Sequence, residues 1–73
     1  MSRGELVRLR IKEFAARENW TLTEVAERSG VPYSTIKTYA RSPGMAMVDI
    51  GALLKLARIF DVSVEDLFEV VEK

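Results

Sequence analysis

Apolar side chains recur along this chain at helical spacing, in blocks separated by capping and turn residues. Val7, Ile11 and Phe14, flanked by Leu6 and Ala15, make the first block, with Arg8, Lys12 and Arg17 mostly on other faces. The pattern predicts a helix from about Arg3 to Glu18, closed by Asn19, a residue suited to the left-handed turn that ends a helix. A second block opens at Thr21. Thr21-x-x-Glu24 is a capping box, in which hydroxyl and carboxylate each take a backbone N–H, and Trp20 with Val25 forms the accompanying hydrophobic staple. This helix carries Val25 and Ala26 inward and should stop at Ser29, because Gly30 can take positive φ.

Pro32 then opens a third helix, where its missing N–H costs nothing, running to about Ala40. Ile36 and Tyr39, with Thr35 or Ala40, supply its inner edge; Tyr33, Ser34, Lys37 and Thr38 lie towards the other side. Ser42-Pro43-Gly44 breaks it by turn chemistry, and Met45–Val48 reads as a short apolar packing loop. Asp49 caps a fourth helix from about Ile50 to Phe60, which buries Leu53, Leu56, Ala57 and Phe60 and is stapled by Val48 and Leu53. Ser63-x-x-Asp66, with Val62 and Leu67 as its staple, caps a fifth helix bearing Val64, Leu67, Phe68 and Val71 at i, i+3, i+4 and i+7. No alternating strand pattern, repeat or linker stands out. The expected fold is all-α: one compact domain of five short helices over residues 1–73.

Composition limits how such a domain can be held together and what it can do. Seventy-three residues with neither cysteine nor histidine exclude disulfides and the usual zinc sites, so a core drawn from a 48% apolar chain must suffice. There is no phosphate-cradling glycine loop and no convincing carboxylate pair, so no catalytic residue, metal or cofactor is expected. The opening MSRGELVRLR is unlike a signal peptide and no stretch is long enough to span a membrane, which makes a soluble cytoplasmic protein the default expectation. Net charge is zero, unlike most DNA-binding domains. The charges are nevertheless unevenly placed. Residues 1–44 hold eight Lys/Arg against five acids, a balance of +3; residues 45–73 hold three against six, a balance of −3.

Two short helices joined at a glycine, the second carrying small polar side chains on one face, have the layout of a helix-turn-helix. In that motif the second helix enters the DNA major groove. The run TLTEVAERSGVPYSTIKTYA followed by LLKLARIFDVSVEDLF resembles the lambda-repressor-like, Cro and phage-repressor (XRE) helix-turn-helix family. The resemblance spans about Ile11 to Phe68 and rests on Val25-Ala26, Gly30-Val31, Ser34-Thr35-Ile36, the Leu53–Ala57 helix and Val62-Ser63 leading to Asp66-Leu67-Phe68. It implies a five-helix domain, its helix-turn-helix at helices two and three, that acts as a transcriptional regulator, more often a repressor, and commonly as a homodimer on a palindromic operator. Carried over by position, base contacts fall on Tyr33, Ser34, Lys37 and Thr38, and DNA-backbone contacts on Thr21, Thr23, Thr35, Arg41, Ser42 and Arg10. Lys37 can donate to guanine O6 and N7, Ser34 and Thr38 to several base edges, and Tyr33 can lay its ring on a thymine methyl. The two-fold contact that related repressors make with their last helix falls on Val64, Phe68, Val70 and Val71. The implied partners are double-stranded DNA and a second copy, with no membrane and no small-molecule effector.

This chain departs from the family's pattern in three places. Leu22 stands where a phosphate-fixing glutamine is usual. Ala15 and Ala40 stand where an arginine and a glutamate often pair; losing both together avoids stranding a buried charge at about 3–5 kcal/mol, and reads as repacking of the scaffold. Arg41-Ser42 replaces the usual Asn-Gly exit from the third helix. With the neutral net charge, these changes define the competing class: a protein-interaction module on the same fold that has abandoned DNA. Arg8, Arg10 and Arg17 read first as solubilising charges, and Trp20 as a staple in the core.

Overall fold

The computed structural model describes residues 5–42, 44, 45 and 47–72. The expected helix start at Arg3, and Pro43, Ala46 and Lys73, lie outside them. The elements in order are β1 (Glu5–Leu9), α1 (Ile11–Glu18), α2 (Leu22–Ser29), α3 (Tyr33–Arg41), α4 (Ile50–Phe60), α5 (Val64–Leu67) and β2 (Phe68–Glu72).

The helix boundaries follow from their caps. Thr21 and Glu24 close the expected box, Oγ1 accepting from the Glu24 N–H at 3.1 Å and Oε1 from the Thr21 N–H at 2.9 Å. Asp49 accepts from the Ala52 N–H at 3.2 Å, and Ser63 from the Asp66 N–H at 3.2 Å. Asn19, Gly30 and Asp61 end α1, α2 and α4 in the left-handed region. Helix α3 has no side-chain cap. Pro32 precedes it, and Ser42 leaves it in extended conformation.

The chain is not all-α. β1 and β2 form a two-stranded antiparallel sheet, with Leu6 opposite Val71, Val7 opposite Val70, Arg8 opposite Glu69 and Leu9 opposite Phe68. The first helix therefore begins at Ile11, eight residues later than expected, and the fifth is a single turn that gives way to extended backbone at Phe68 (φ −135°, ψ 165°). Two causes combine. Val7, Val70 and Val71 are β-branched and suit a pleated surface. The two segments also satisfy each other's backbone across the whole length of the chain, a pairing that no local pattern announces. On its other edge β1 bonds Met45: the Val7 N–H donates to the Met45 carbonyl at 2.8 Å and the Met45 N–H to that of Val7 at 2.7 Å. Gly44 packs closely beside it: a Cβ there would sit 3.0 Å from Leu6 Cβ and Cδ1, so the Leu6 side chain would have to give by a few tenths of an ångström.

The core gathers residues from both layers. Ile11, Val25, Ile36, Leu56, Phe60 and Leu67 are its largest fully buried side chains. Phe60 is the hub, with the Phe14 ring 5.5 Å away and the Trp20 ring stacked at 5.6 Å. Trp20 thus closes α1 and α2 onto α4, as a staple should. Ala15 is buried and Ala40 packs on the same core, so the two positions of the missing ion pair are filled by apolar packing. Leu22 also packs against the core. Arg17 does more than solubilise: its guanidinium lies 4.8 Å from the Phe14 ring centroid and donates to the Phe60 carbonyl at 2.9 Å, satisfying the end of α4.

The proposed contact residues Val64, Phe68, Val70 and Val71 do not share a helical face. Val64 lies on α5; Phe68 and Val70 point to one face of the sheet and Val71 to the other.

Candidate nucleic-acid interface

Three local features fix α3 against α2. Gly30 turns the chain at φ 80°, its N–H bonded to the Ala26 carbonyl at 2.9 Å. Ser29 is buried, and its hydroxyl accepts from the Val31 N–H at 3.1 Å while donating back to the Ala26 carbonyl at 3.4 Å. The turn is thus held by a side chain that sequence reasoning left unassigned. Ile36, fully buried, then anchors the inner face of α3.

That anchoring decides what faces out. Tyr33, Ser34, Lys37, Thr38 and Arg41 are all exposed, while Thr35, Tyr39 and Ala40 are half-buried. Positions i, i+1, i+4, i+5 and i+8 form one continuous helical face. Helix α3 contains two cations and no acid. Neither Lys37 nor Arg41 makes an ion pair among the described residues; Lys37 Nζ lies 5.6 Å from the Tyr33 ring centroid, within cation–π range. Tyr39 turns its hydroxyl to accept from the Asp49 N–H at 3.1 Å, tying α3 to the start of α4.

The candidate backbone contacts do not form one cluster. Arg10, Arg41 and Ser42 come together around a cavity of about 430 Å³ that Arg8 and Lys12 also line. Arg10 is partly committed there, its Nε to Glu13 at 2.8 Å and its Nη1 to the Asp66 carbonyl at 3.1 Å. Ser42 is committed too, bonding both the N–H and the carbonyl of Gly44. Thr35 lies in a separate cleft of about 310 Å³, shared with Tyr39, Gly51 and Lys55 at the start of α4. Thr21 and Thr23 are exposed at the start of α2, the Thr21 hydroxyl oxygen already accepting its cap bond. Lys12 and Lys55 are the cations that the reading by position passed over. Lys12, on α1, meets Arg41 of α3, and Lys55, on α4, meets Thr35 of α3, so only the fold brings each pair together. Among the described residues, no helix is long and apolar enough to cross a membrane, and no three potential ligands cluster around a possible metal site.

A left-handed glycine turn between two short helices, the second presenting an exposed, acid-free face, defines the helix-turn-helix class. The chain belongs to the Cro/C1-type HTH DNA-binding domain family, which residues 10–73 match. An uncharacterized HTH-type transcriptional regulator of Archaeoglobus fulgidus is 39% identical over 62 residues, covering 85% of this chain and 84% of its own. Among solved structures, the N-terminal DNA-binding domain of SinR from Bacillus subtilis is 32% identical with a TM-score of 0.70, covering 77% of this chain and 80% of its own. SinR, the master regulator for biofilm formation, in complex with DNA gives 32% and 0.69, covering 77% and 87%. The transcriptional regulator VanUg shares the fold over 99% of this chain and 93% of its own, at a TM-score of 0.78 and 18% identity.

Proposed function

We propose that residues 1–73 form one DNA-binding domain of a transcriptional repressor, which sets α3 in the major groove and acts as a homodimer on a palindromic site. The observation that carries this reading is the exposed face of α3. Tyr33, Ser34, Lys37 and Thr38 project together from a helix whose inner side is locked by Ile36, with no acid to repel phosphate. Arg41 continues that face towards the cavity shared by Arg10 and Lys12, and Thr35 with Lys55 borders the cleft on the α4 side. Phosphates on either side of the groove would meet these two groups, which carry register and affinity while the α3 side chains read bases. The neutral net charge is no obstacle, because counterion release depends on the cations that touch phosphate and not on the sum over the chain. A two-fold dimer would hold its paired α3 helices about 34 Å apart, one turn of DNA.

The experiment is selection of bound sequences from a random pool, followed by a salt titration on the selected site and on random DNA. A selected palindrome, bound with a linear dependence of log affinity on log salt, is expected. Absence of any affinity at low salt would instead favour the protein-interaction module, the reading to which the neutral charge and the core-packed Leu22 lend support.

A further inference from the structure

We propose that the cavity of about 430 Å³ between the start of α1 and the end of α3 is a binding site for a small oligophosphate, held by Arg10, Lys12 and Arg41. One wall is the turn from β1 into α1, carrying Arg8, Arg10, Lys12 and Glu13; the other is the end of α3, carrying Arg41. Four cations thus share one hollow with a single carboxylate. Two of the four are already matched, Arg8 by Glu69 and Arg10 by Glu13 at 2.8 Å. Lys12 and Arg41 make no ion pair among the described residues. Unmatched like charges on facing walls raise the potential between them, and an anion placed there meets both. Arg10 is held ready for the same ligand. Its Nε donates to Glu13, its Nη1 donates to the Asp66 carbonyl at 3.1 Å, and its Cζ lies 5.3 Å from the Phe14 ring centroid. These contacts fix the guanidinium and leave Nη2 free among the described residues, so little rotamer freedom is lost on binding.

Size and charge select the ligand. The volume lies within the roughly 300–1,000 Å³ of small-molecule sites, and a lone phosphate would leave most of it to water. Cations on both walls suit phosphate groups, whose oxygens point in several directions, better than a carboxylate, whose two oxygens share one plane and one side. Two or three linked phosphates bring enough charge to match Lys12 and Arg41 together. Buried Leu9 and half-buried Ala40 make the apolar part of the lining, which displaces water from the ligand and strengthens its attraction to the cations. Arg41 also ends the exposed face of α3, so a ligand in the cavity competes with DNA for its charge. That competition rests on the DNA reading above; the site itself does not.

The test is titration of inorganic tripolyphosphate into the full chain without DNA, at fixed ionic strength, followed by calorimetry and by amide chemical shifts. Saturable one-to-one binding is expected, with shifts concentrated at residues 8–13 and 40–42. Lys12→Ala and Arg41→Ala should each weaken it about five- to tenfold. Arg58→Ala, which removes an exposed cation outside the cavity, should leave it unchanged. All three replace exposed side chains, so the fold should persist, as circular dichroism would verify. Absence of saturable binding would overturn the site. Equal weakening by all three variants would do so too, because it marks diffuse ionic attraction. Citrate bound as tightly as tripolyphosphate would overturn the choice of phosphate. On a selected DNA site, tripolyphosphate should lower affinity severalfold for the wild type and less for Arg41→Ala. A wild type whose DNA affinity it leaves unchanged would overturn the shared use of Arg41. A chain that binds selected DNA but not tripolyphosphate would overturn the site and leave the DNA reading standing; one that binds tripolyphosphate in the cavity without DNA affinity would do the reverse.

Discussion

Gly30→Ala isolates the cost of the turn that sets α3 at its angle. Gly30 sits at φ 80° and ψ 7°, and a Cβ built on it would meet nothing within 4 Å. Steric displacement of a neighbour can therefore be left out, and only the backbone cost remains. A non-glycine residue in the left-handed region loses roughly 1–2 kcal/mol. Against this, alanine narrows the unfolded ensemble and recovers about 0.4–1 kcal/mol. The net loss should be about 1 kcal/mol, or roughly 4–8 °C in Tm for a domain of this size. Gly30→Asn should lose less, since asparagine tolerates this region better. Urea denaturation should show a lower midpoint at unchanged slope. Because nothing is pushed aside, the angle between α2 and α3 is kept, and binding to a selected site well below the melting temperature should match the wild type. A loss beyond about 3 kcal/mol would refute the open surroundings of Gly30, a scale reached only when packing or buried groups are disturbed. An alanine variant more stable than the wild type would refute the positive φ.

Three further outcomes test separate parts of the structure. Lys37→Ala should weaken a selected site by about 1–3 kcal/mol and random DNA much less, while Arg41→Ala should weaken both alike and lower the salt slope by about one phosphate's share, each read by fluorescence anisotropy. Thr21→Ala removes the acceptor for the Glu24 N–H and should cost about 1 kcal/mol by chemical denaturation, with DNA preference kept. Leu67→Ala empties a fully buried site at the junction of α5 and β2, and should cost about 2–5 kcal/mol while speeding amide exchange in β2.

The parts of this fold that were legible in the sequence are those whose causes are local. The capping box at Thr21, the caps at Asp49 and Ser63, the left-handed Asn19 and Gly30, and the buried face of α4 each depend on residues within a few positions of one another. The two strands escaped for the opposite reason. Val7 and Ile11 lie four apart and Val64, Phe68 and Val71 are spaced as on a helix, so each end segment taken alone satisfies a helical template. What decides between helix and strand is the partner at the other end of the chain: Leu9 finds Phe68, Val7 finds Val70, and Met45 completes the bonding of Val7. A short β-branched segment with both possibilities open is settled by tertiary pairing and not by its own periodicity.

The same distinction governs the interface. The exposed face of α3 could be read because burial of Ile36 fixes by helical geometry which neighbours point out. The grouping of the candidate backbone contacts could not, because it joins residues on separate elements: Arg10 and Lys12 meet Arg41 only through the packing of β1 and α1 on α3, and Lys55 reaches Thr35 only across the α3–α4 cleft. The sheet adds a constraint of its own. β1 bonds β2 on one edge and Met45 on the other, and Met45 follows the exit from α3, so the sheet is bonded directly to the segment that leaves this helix.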